Sequence, residues 1–228
     1  MTVLGFDVYG TLIDTSGVVG ALRNVVGDKA AKLAQIWRDK QLEYSFRRGL
    51  MRDYASFDVC IRDAFDYGTA LLEIDVTARE REDLLGAYRG LPAFDDVVAS
   101  LERLATHRFR SYALSNGTAA DVESLLTNAG IREHFIDIVS VDEIGTFKPD
   151  PAVYEHFLRR AEIDGPNAWL VSSNPFDVIG AIRAGMRAVW IKRQATGLFD
   201  PWGIEPTLTV TGLAGLGDRI AEFIAKRT

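Results

Sequence analysis

Thr2-Val3-Leu4-Gly5-Phe6-Asp7-Val8-Tyr9-Gly10-Thr11-Leu12 is the stretch from which the rest of this chain can be read. A short apolar run ends in an aspartate, and a glycine follows three residues later. The run predicts a buried strand over 2–6. In open parallel sheets, ligands bind in the crevice outside the carboxyl ends of the strands, which puts Asp7 where chemistry is done. Gly10 lets the chain turn sharply without a Cβ penalty. Asp and Gly are also ordinary turn residues, so the motif alone leaves capping and chemistry equally open.

The next sheet-like run does not come until 110–114. Between the two, from 18 to 89, apolar residues recur at helical spacing: Leu33, Ile36 and Trp37, then Phe57, Ile61 and Phe65, then Leu84, Leu85 and Tyr88. That block is too long for a simple crossover. It predicts an all-helical cap over 15–90, inserted in a core made of 1–14 and 91–228, with Leu91-Pro92 marking the return. Beyond it, helices over 95–105, 119–129, 151–161, 177–184 and 214–225 alternate with strands over 110–114, 135–140, 168–171, 188–191 and 208–210. Such alternation predicts an α/β fold whose core is a doubly wound, Rossmann-like parallel sheet with crossover helices.

Composition narrows the function. At 228 residues the chain can hold one large core plus an insertion. The net charge of −6 comes without a basic block, which argues against a nucleic-acid partner. No apolar run approaches the roughly 20 residues of a membrane span, and the start lacks signal-peptide features, so a cytoplasmic protein with no membrane association is expected. The single cysteine, Cys60, excludes an intrachain disulfide and reads as a small buried residue. His107, His134 and His156 stand apart, with no metal-ligand spacing.

Polar residues follow several strands directly. Ser115-Asn116-Gly117 follows the second strand, Lys148-Pro149-Asp150 lies beyond the third, and Ser172-Ser173-Asn174-Pro175-Phe176-Asp177 follows the fourth. Each has a plain reading as a helix start: Asn174 at the N-cap with Pro175 at N1, Asp150 before Pro151, Thr118 with Asp121. Their coincidence with Asp7, in this chain order, instead lines one rim of the sheet with functional groups.

This order of motifs resembles the haloacid dehalogenase superfamily. Most of that superfamily are magnesium-dependent phosphohydrolases, with a second Asp two residues after the nucleophile and an acidic pair in the last motif. Here Tyr9 holds the first of those positions, and Ser173 and Asn174 stand where an acid is expected, leaving only Asp177. A hard divalent cation wants several carboxylate or carbonyl oxygens, so neither a metal nor any other cofactor is expected. The closer resemblance is to the L-2-haloacid dehalogenase family, carried by Trp37-Arg38-Asp39-Lys40-Gln41-Leu42-Glu43-Tyr44 in the cap, by Lys148-Pro149-Asp150, and by Val171-Ser172-Ser173-Asn174-Pro175-Phe176-Asp177. Asp39 departs from that family's pattern, which has Gln beside the arginine.

The resemblance implies hydrolysis of a small 2-haloalkanoate, with release of halide. Asp7 is the implied nucleophile, steadied by Thr11. Arg38, Asn116 and Phe176 would receive the departing halide, and Ser115 the substrate carboxylate. Asp177, helped by Ser173 and Asn174, would direct water at the ester, while Lys148 offsets the two carboxylates and Tyr154 bonds one member of that set. Tyr9, Trp37, Leu42, Phe57 and Ser172 complete the pocket, and a homodimer is implied. A phosphohydrolase of the same superfamily, acting on a small phosphoester, is the alternative; a non-catalytic binding module leaves Asp7, Lys148 and Asp177 without a purpose.

Overall fold

The computed structural model describes residues 2–227. Among these, β1 (Val3–Phe6) is followed by five helices before the next strand, the first four being α1 (Val18–Val26), α2 (Ala30–Met51), α3 (Phe57–Leu71) and α4 (Ala78–Arg89). The chain then runs through α5 (Val97–Leu104), β2 (Arg110–Ser115), α6 (Ala119–Asn128), β3 (Asp137–Ser140), α7 (Pro151–Arg160), β4 (Ala168–Ser172), α8 (Pro175–Arg183), β5 (Arg187–Ile191), β6 (Leu208–Val210) and α9 (Leu216–Ala225). The strands form one parallel sheet in the order β3-β2-β1-β4-β5-β6. The fold is therefore a doubly wound α/β sheet whose winding reverses beside β1.

Every residue of β1 is buried, as a strand covered on both faces requires. Phe157 of α7 lies so close over Gly5 that a Cβ there would come within 2.8 Å of its ring. On β4, Trp169 meets Phe223 of α9 edge-on. Register then sets the rim. Phe6 pairs with Ala113 on one side and Val171 on the other, which brings Asp7, Leu114 and Ser172 to one level. Gly10 has φ +86°, a left-handed turn that takes the chain sharply away from the sheet.

The helical excursion leaves and returns at one place. Ile13 bridges Ala93 in antiparallel fashion, the Asp14 amide donates to the Pro92 carbonyl at 2.9 Å, and the Phe94 amide donates to Leu12 at 3.0 Å. Arg193, just past β5, fastens this crossing: it pairs with Asp96 at 2.7 Å, donates to the Thr11 carbonyl at 2.7 Å and stacks over Phe94. Inside the excursion, α2 buries Leu33, Trp37, Gln41 and Ser45 along one stripe against α3. Residue 38 falls about 100° around the helix from Trp37 and so leaves that stripe.

Four elements start two residues away from the sequence expectation. β3 begins at Asp137, because residues 132–134 form a tight turn whose Arg132 carbonyl takes the Phe135 amide. α8 starts at Pro175, where a missing N–H costs nothing. α9 starts at Leu216, behind Gly215 at φ +71°. α5 begins at Val97, with Asp96 drawn away to Arg193 and to the Leu213 amide.

Where α7 crosses α8, Tyr154 is fully buried against Gly180, and a Cβ at 180 would lie 2.4 Å from the phenol oxygen. Gly180→Ala gains at most about 1 kcal/mol of helix propensity. Overpacking a buried contact costs roughly 1–3 kcal/mol, so the clash wins. Urea unfolding should show a lower midpoint for Gly180→Ala, whereas a similar exchange at open Gly86 should be neutral or stabilising.

Candidate active site

At the carboxyl end of the sheet one ammonium ties the rim together. Lys148 Nζ, buried, donates to Asp7 Oδ1 at 3.0 Å, to Asp177 Oδ2 at 2.8 Å and to the Leu114 carbonyl at 2.8 Å. All three donors of the ammonium are used. The Lys148 amide is in turn held by Asn116 Oδ1 at 3.1 Å, so the loop carrying the lysine is anchored to the end of β2.

The other oxygen of Asp7 faces three donors. Thr11 Oγ1 reaches Oδ2 at 2.6 Å, Asn174 Nδ2 at 2.8 Å and Ser172 Oγ at 3.3 Å. Asn174 caps no amide of α8; its side chain goes to Asp7 instead. Ser173 does not face Asp7. Its hydroxyl donates to the Gly10 carbonyl at 2.7 Å, and its amide donates to Thr11 Oγ1 at 2.8 Å, which pins the turn after the nucleophile against the end of β4.

Asp177, fully buried, accepts Tyr154 on Oδ1 at 2.8 Å as well as Lys148 on Oδ2. Burial raises its pKa above the ordinary carboxylate value, and the negative charge of Asp7 pushes the same way against the pull of Lys148. For Lys148, burial works to lower the pKa, but Asp177 and Asp7 together outweigh it and the value ends up raised. Burial, then the Asp177 charge, pushes the Tyr154 phenol well up.

From α2, Arg38 reaches the turn after β1 and donates from Nη2 to the Tyr9 carbonyl at 3.1 Å. Among the described residues no carboxylate pairs with it, and its Nη1 is buried without an acceptor. Glu43, the acid nearest in sequence able to neutralise a surface arginine, is taken by Lys40 and Arg47. Asp39 is exposed and accepts Gln35 at 2.8 Å, turned away from the rim.

Aromatic side chains close the remaining side. Tyr9 packs on Phe57 at 5.5 Å and stacks on Tyr88 at 6.2 Å; Phe57 also meets Phe147. Phe176 is half-buried and edge-on to Phe46 of α2. Ser115 is buried, its hydroxyl oxygen accepting the Gly117 amide at 3.1 Å. Two residues expected at the pocket sit differently. Trp37 is spent inside the cap, fully buried, with Nε1 donating to the Ile61 carbonyl and its ring against Phe65 and Tyr88. Ser172 serves Asp7 rather than the pocket wall. Leu42 is half-buried on α2, one turn past Arg38.

A family model for haloacid dehalogenase-like hydrolases matches residues 1–185. The (S)-2-haloacid dehalogenase of Pseudomonas sp. (strain YL) is 35% identical over 210 residues, 92% of this chain and 90% of that protein. The chain belongs to the haloacid dehalogenase-like hydrolases, within the L-2-haloacid dehalogenase family. Haloacetate dehalogenase H-2 of Moraxella sp. (strain B) is 33% identical, covering 97% of each chain. Among solved structures, the L-2-haloacid dehalogenase of Xanthobacter autotrophicus with chloropropionic acid covalently bound superposes with a TM-score of 0.89 at 28% identity, covering 97% of this chain and 98% of that one.

The residues present do not fit the magnesium ion of the superfamily's phosphohydrolases. Asp7 Oδ2 is surrounded by three donors, Asp7 Oδ1 and Asp177 Oδ2 share Lys148, and Tyr9 puts an aromatic phenol in place of a second acid. Among the described residues no group of three or more His, Cys, Asp or Glu is placed to hold a metal ion. Sequence reasoning missed Tyr88 and Gln41, whose buried hydrogen bond at 2.8 Å lies behind Tyr9 and Arg38. Helical spacing marks Tyr88 only as core, and Gln41 entered only as part of the Trp37–Tyr44 signature, with no role of its own. It also missed the Leu114 carbonyl, which no side-chain pattern encodes.

Lys148 supplies the decisive test of this geometry. Removing one partner of a buried ionic group leaves uncompensated charge at a cost of about 3–5 kcal/mol, so Lys148→Met should be strongly destabilised at neutral pH. The raised Lys148 pKa adds a pH signature. Its contribution is fully present below the unfolded value of 10.5 and is lost as pH rises through the higher folded value. Wild-type stability in urea should therefore fall above that point, and the fall should be shallower in Lys148→Met.

Proposed function

We propose that this protein hydrolyses L-2-haloacids to D-2-hydroxyacids through an ester on Asp7, with no metal in the chemistry. The observation that carries the reading is Arg38: a guanidinium with no carboxylate partner and a buried free N–H, delivered by the cap to the turn that bears the nucleophile. The (S)-2-haloacid specificity of the Pseudomonas relative and the covalent chloropropionate in the Xanthobacter structure support it. In this reading residues 15–90 are a helical cap over a core of 1–14 and 91–228. A cytoplasmic location and a homodimer go with it, the exposed Leu50, Met51 and Leu71 being cap surface for such a dimer. No helix among the described residues is long and apolar enough to cross a membrane.

The steps follow from the donors. An oxygen of Asp7 attacks C2 of the substrate in line; the carbon–oxygen bond forms as the carbon–halogen bond breaks, and the halide leaves with the electron pair. Arg38 meets the charge that grows on the halide. Asn116 has its carbonyl committed to Lys148, which leaves its amide N–H groups to donate toward the same anion. Phe176 and Phe46 supply apolar surface, and the Ser115 hydroxyl, whose oxygen already accepts Gly117, donates to the substrate carboxylate. Water then adds to the Asp7 side-chain carbonyl and gives its proton to Asp177, whose raised pKa suits a base. The acyl–oxygen bond breaks, the leaving alkoxide takes the proton from Asp177, and the hydroxyacid departs with an oxygen that began on Asp7, while the re-formed Asp7 carboxyl loses its proton to solvent. Thr11 and Asn174 hold the carboxylate group through both steps.

Two measurements test this. In single turnover in heavy-oxygen water, with enzyme in excess, the hydroxyacid should be unlabelled and the peptide containing Asp7 labelled; the reverse pattern would replace Asp7 by direct attack of water. Arg38→Lys should lose roughly a hundredfold or more in kcat, the scale of losing one preorganised donor at a developing charge. Near-normal turnover in that variant would take Arg38 off the leaving-group side.

A further inference from the structure

A cavity of about 550 Å³ lies beside the crossing that Arg193 fastens, with Arg38 in its wall. Asp7, Ser115 and Asn116 do not line it. Arg38, Asn174, Ser173 and Gly10 do, so it shares one wall with the active site. In that wall Arg38 Nη2 and Asn174 Nδ2 both donate to the Tyr9 carbonyl, at 3.1 and 3.4 Å, and Ser173 donates to the Gly10 carbonyl at 2.7 Å.

The lining is cationic. Arg38 and Lys192 have no carboxylate partner among the described residues, and Arg193, paired with Asp96, keeps a buried Nε without an acceptor. Against these three cations stands one lining acid, Asp14, whose Oδ1 accepts the Ser16 amide and hydroxyl. Lys192 is half-buried and makes its backbone bond to Val210, so its position owes nothing to an ion pair. A partly enclosed space with unpaired positive charge holds anions in preference to water alone. Arg38 lines this space and also donates to the turn that follows the nucleophile.

We infer that the cavity is a second anion site, separate from the place where the carbon–halogen bond breaks, which takes a monovalent halide from Arg38 and passes it to solvent by way of Lys192. The inference rests on the dehalogenase reading for the source of the halide, but anion binding itself does not. Hydrolysis releases one halide and one proton per turnover in a nearly closed site. A second cationic station lets the halide clear Arg38 before water attacks the ester.

Trp190 provides the probe, because it lines the cavity and donates from Nε1 to the Ser173 carbonyl. Bromide quenches an indole that it touches. Trp37 and Trp169 are fully buried, and the exposed Trp202 can be removed as Trp202→Phe. In that background, at constant ionic strength, bromide should quench Trp190 along a saturating curve. Lys192→Glu should weaken the apparent bromide affinity by at least about fivefold, since a unit charge at contact distance in a wet cleft is worth roughly that factor. Lys192→Met should fall between the two, which guards against a folding defect in the reversal. Quenching linear in bromide, or saturation unmoved by both Lys192 variants, overturns the site even if dehalogenation is found. Saturation that depends on Lys192 in a protein that releases no halide would leave the site standing and remove the dehalogenase reading.

Discussion

The Lys148 ammonium is the constraint on which the rest of the site depends. It joins three strand ends through Asp7 after β1, the Leu114 carbonyl in β2 and Asp177 in α8 behind β4. Two buried carboxylates this close repel each other, and burial disfavours the charged form of each. A cation between them, with every donor used, makes the pairing tolerable. The remaining lone pairs are covered by Thr11, Ser172, Asn174 and Tyr154. The network is thus satisfied at each member, the condition under which a buried polar cluster fixes one geometry rather than several.

In the core-and-cap division proposed above, the two parts share the electrostatic work. The core rim holds two acids and one base, a net charge of minus one, with its groups on the ends of rigid strands. The cap contributes the second cation, Arg38, from a long helix whose other face is locked by Trp37 and Gln41. Arg38 completes neutrality only where the cap lies on the core. Its hold on the core is the single Tyr9 carbonyl, close to the crossing where Ile13 bridges Ala93 and Arg193 fastens Thr11, Phe94 and Asp96. Geometry at the hinge is therefore transmitted to the charge at the site through a few residues of backbone.

The alternation of helices and strands made the sheet legible, because fully buried parallel strands are near-continuous apolar runs and their crossovers carry helical periodicity. Asp7, Asp177 and Lys148 were legible as candidate site residues because Asp7 directly follows β1, Asp177 lies in the first turn of the helix after β4 and Lys148 lies in the loop after β3, on the rim where side chains from distant parts of the chain converge. Capping statistics alone could not separate Asn174, which serves Asp7, from Asp150, which does cap its helix through the Ala152 amide. Both positions have the same local sequence logic, and only the tertiary neighbour differs. Trp37 was misplaced for a related reason. It stands beside Arg38 in sequence, but one step around a helix turns a side chain by about 100°, from the rim into the cap interior.

Charge balance also explains why this arrangement suits a monoanionic substrate. Asp7 and Asp177 against Lys148 and Arg38 sum to zero before substrate enters. A 2-haloacid brings one negative charge on its carboxylate, and the reaction then moves one more onto the halide while Asp7 loses its own in the ester. The total inside the site is therefore unchanged across the first step, and the charge only shifts from Asp7 toward Arg38. A phosphoester dianion would bring twice the charge to the same rim, where Tyr9 and Asn174 offer no acid to gather a compensating divalent cation. The replacement of acids by a phenol and an amide thus changes the task from neutralising a dianion to moving one charge across a few ångströms of preorganised donors, which is what an alkyl halide demands.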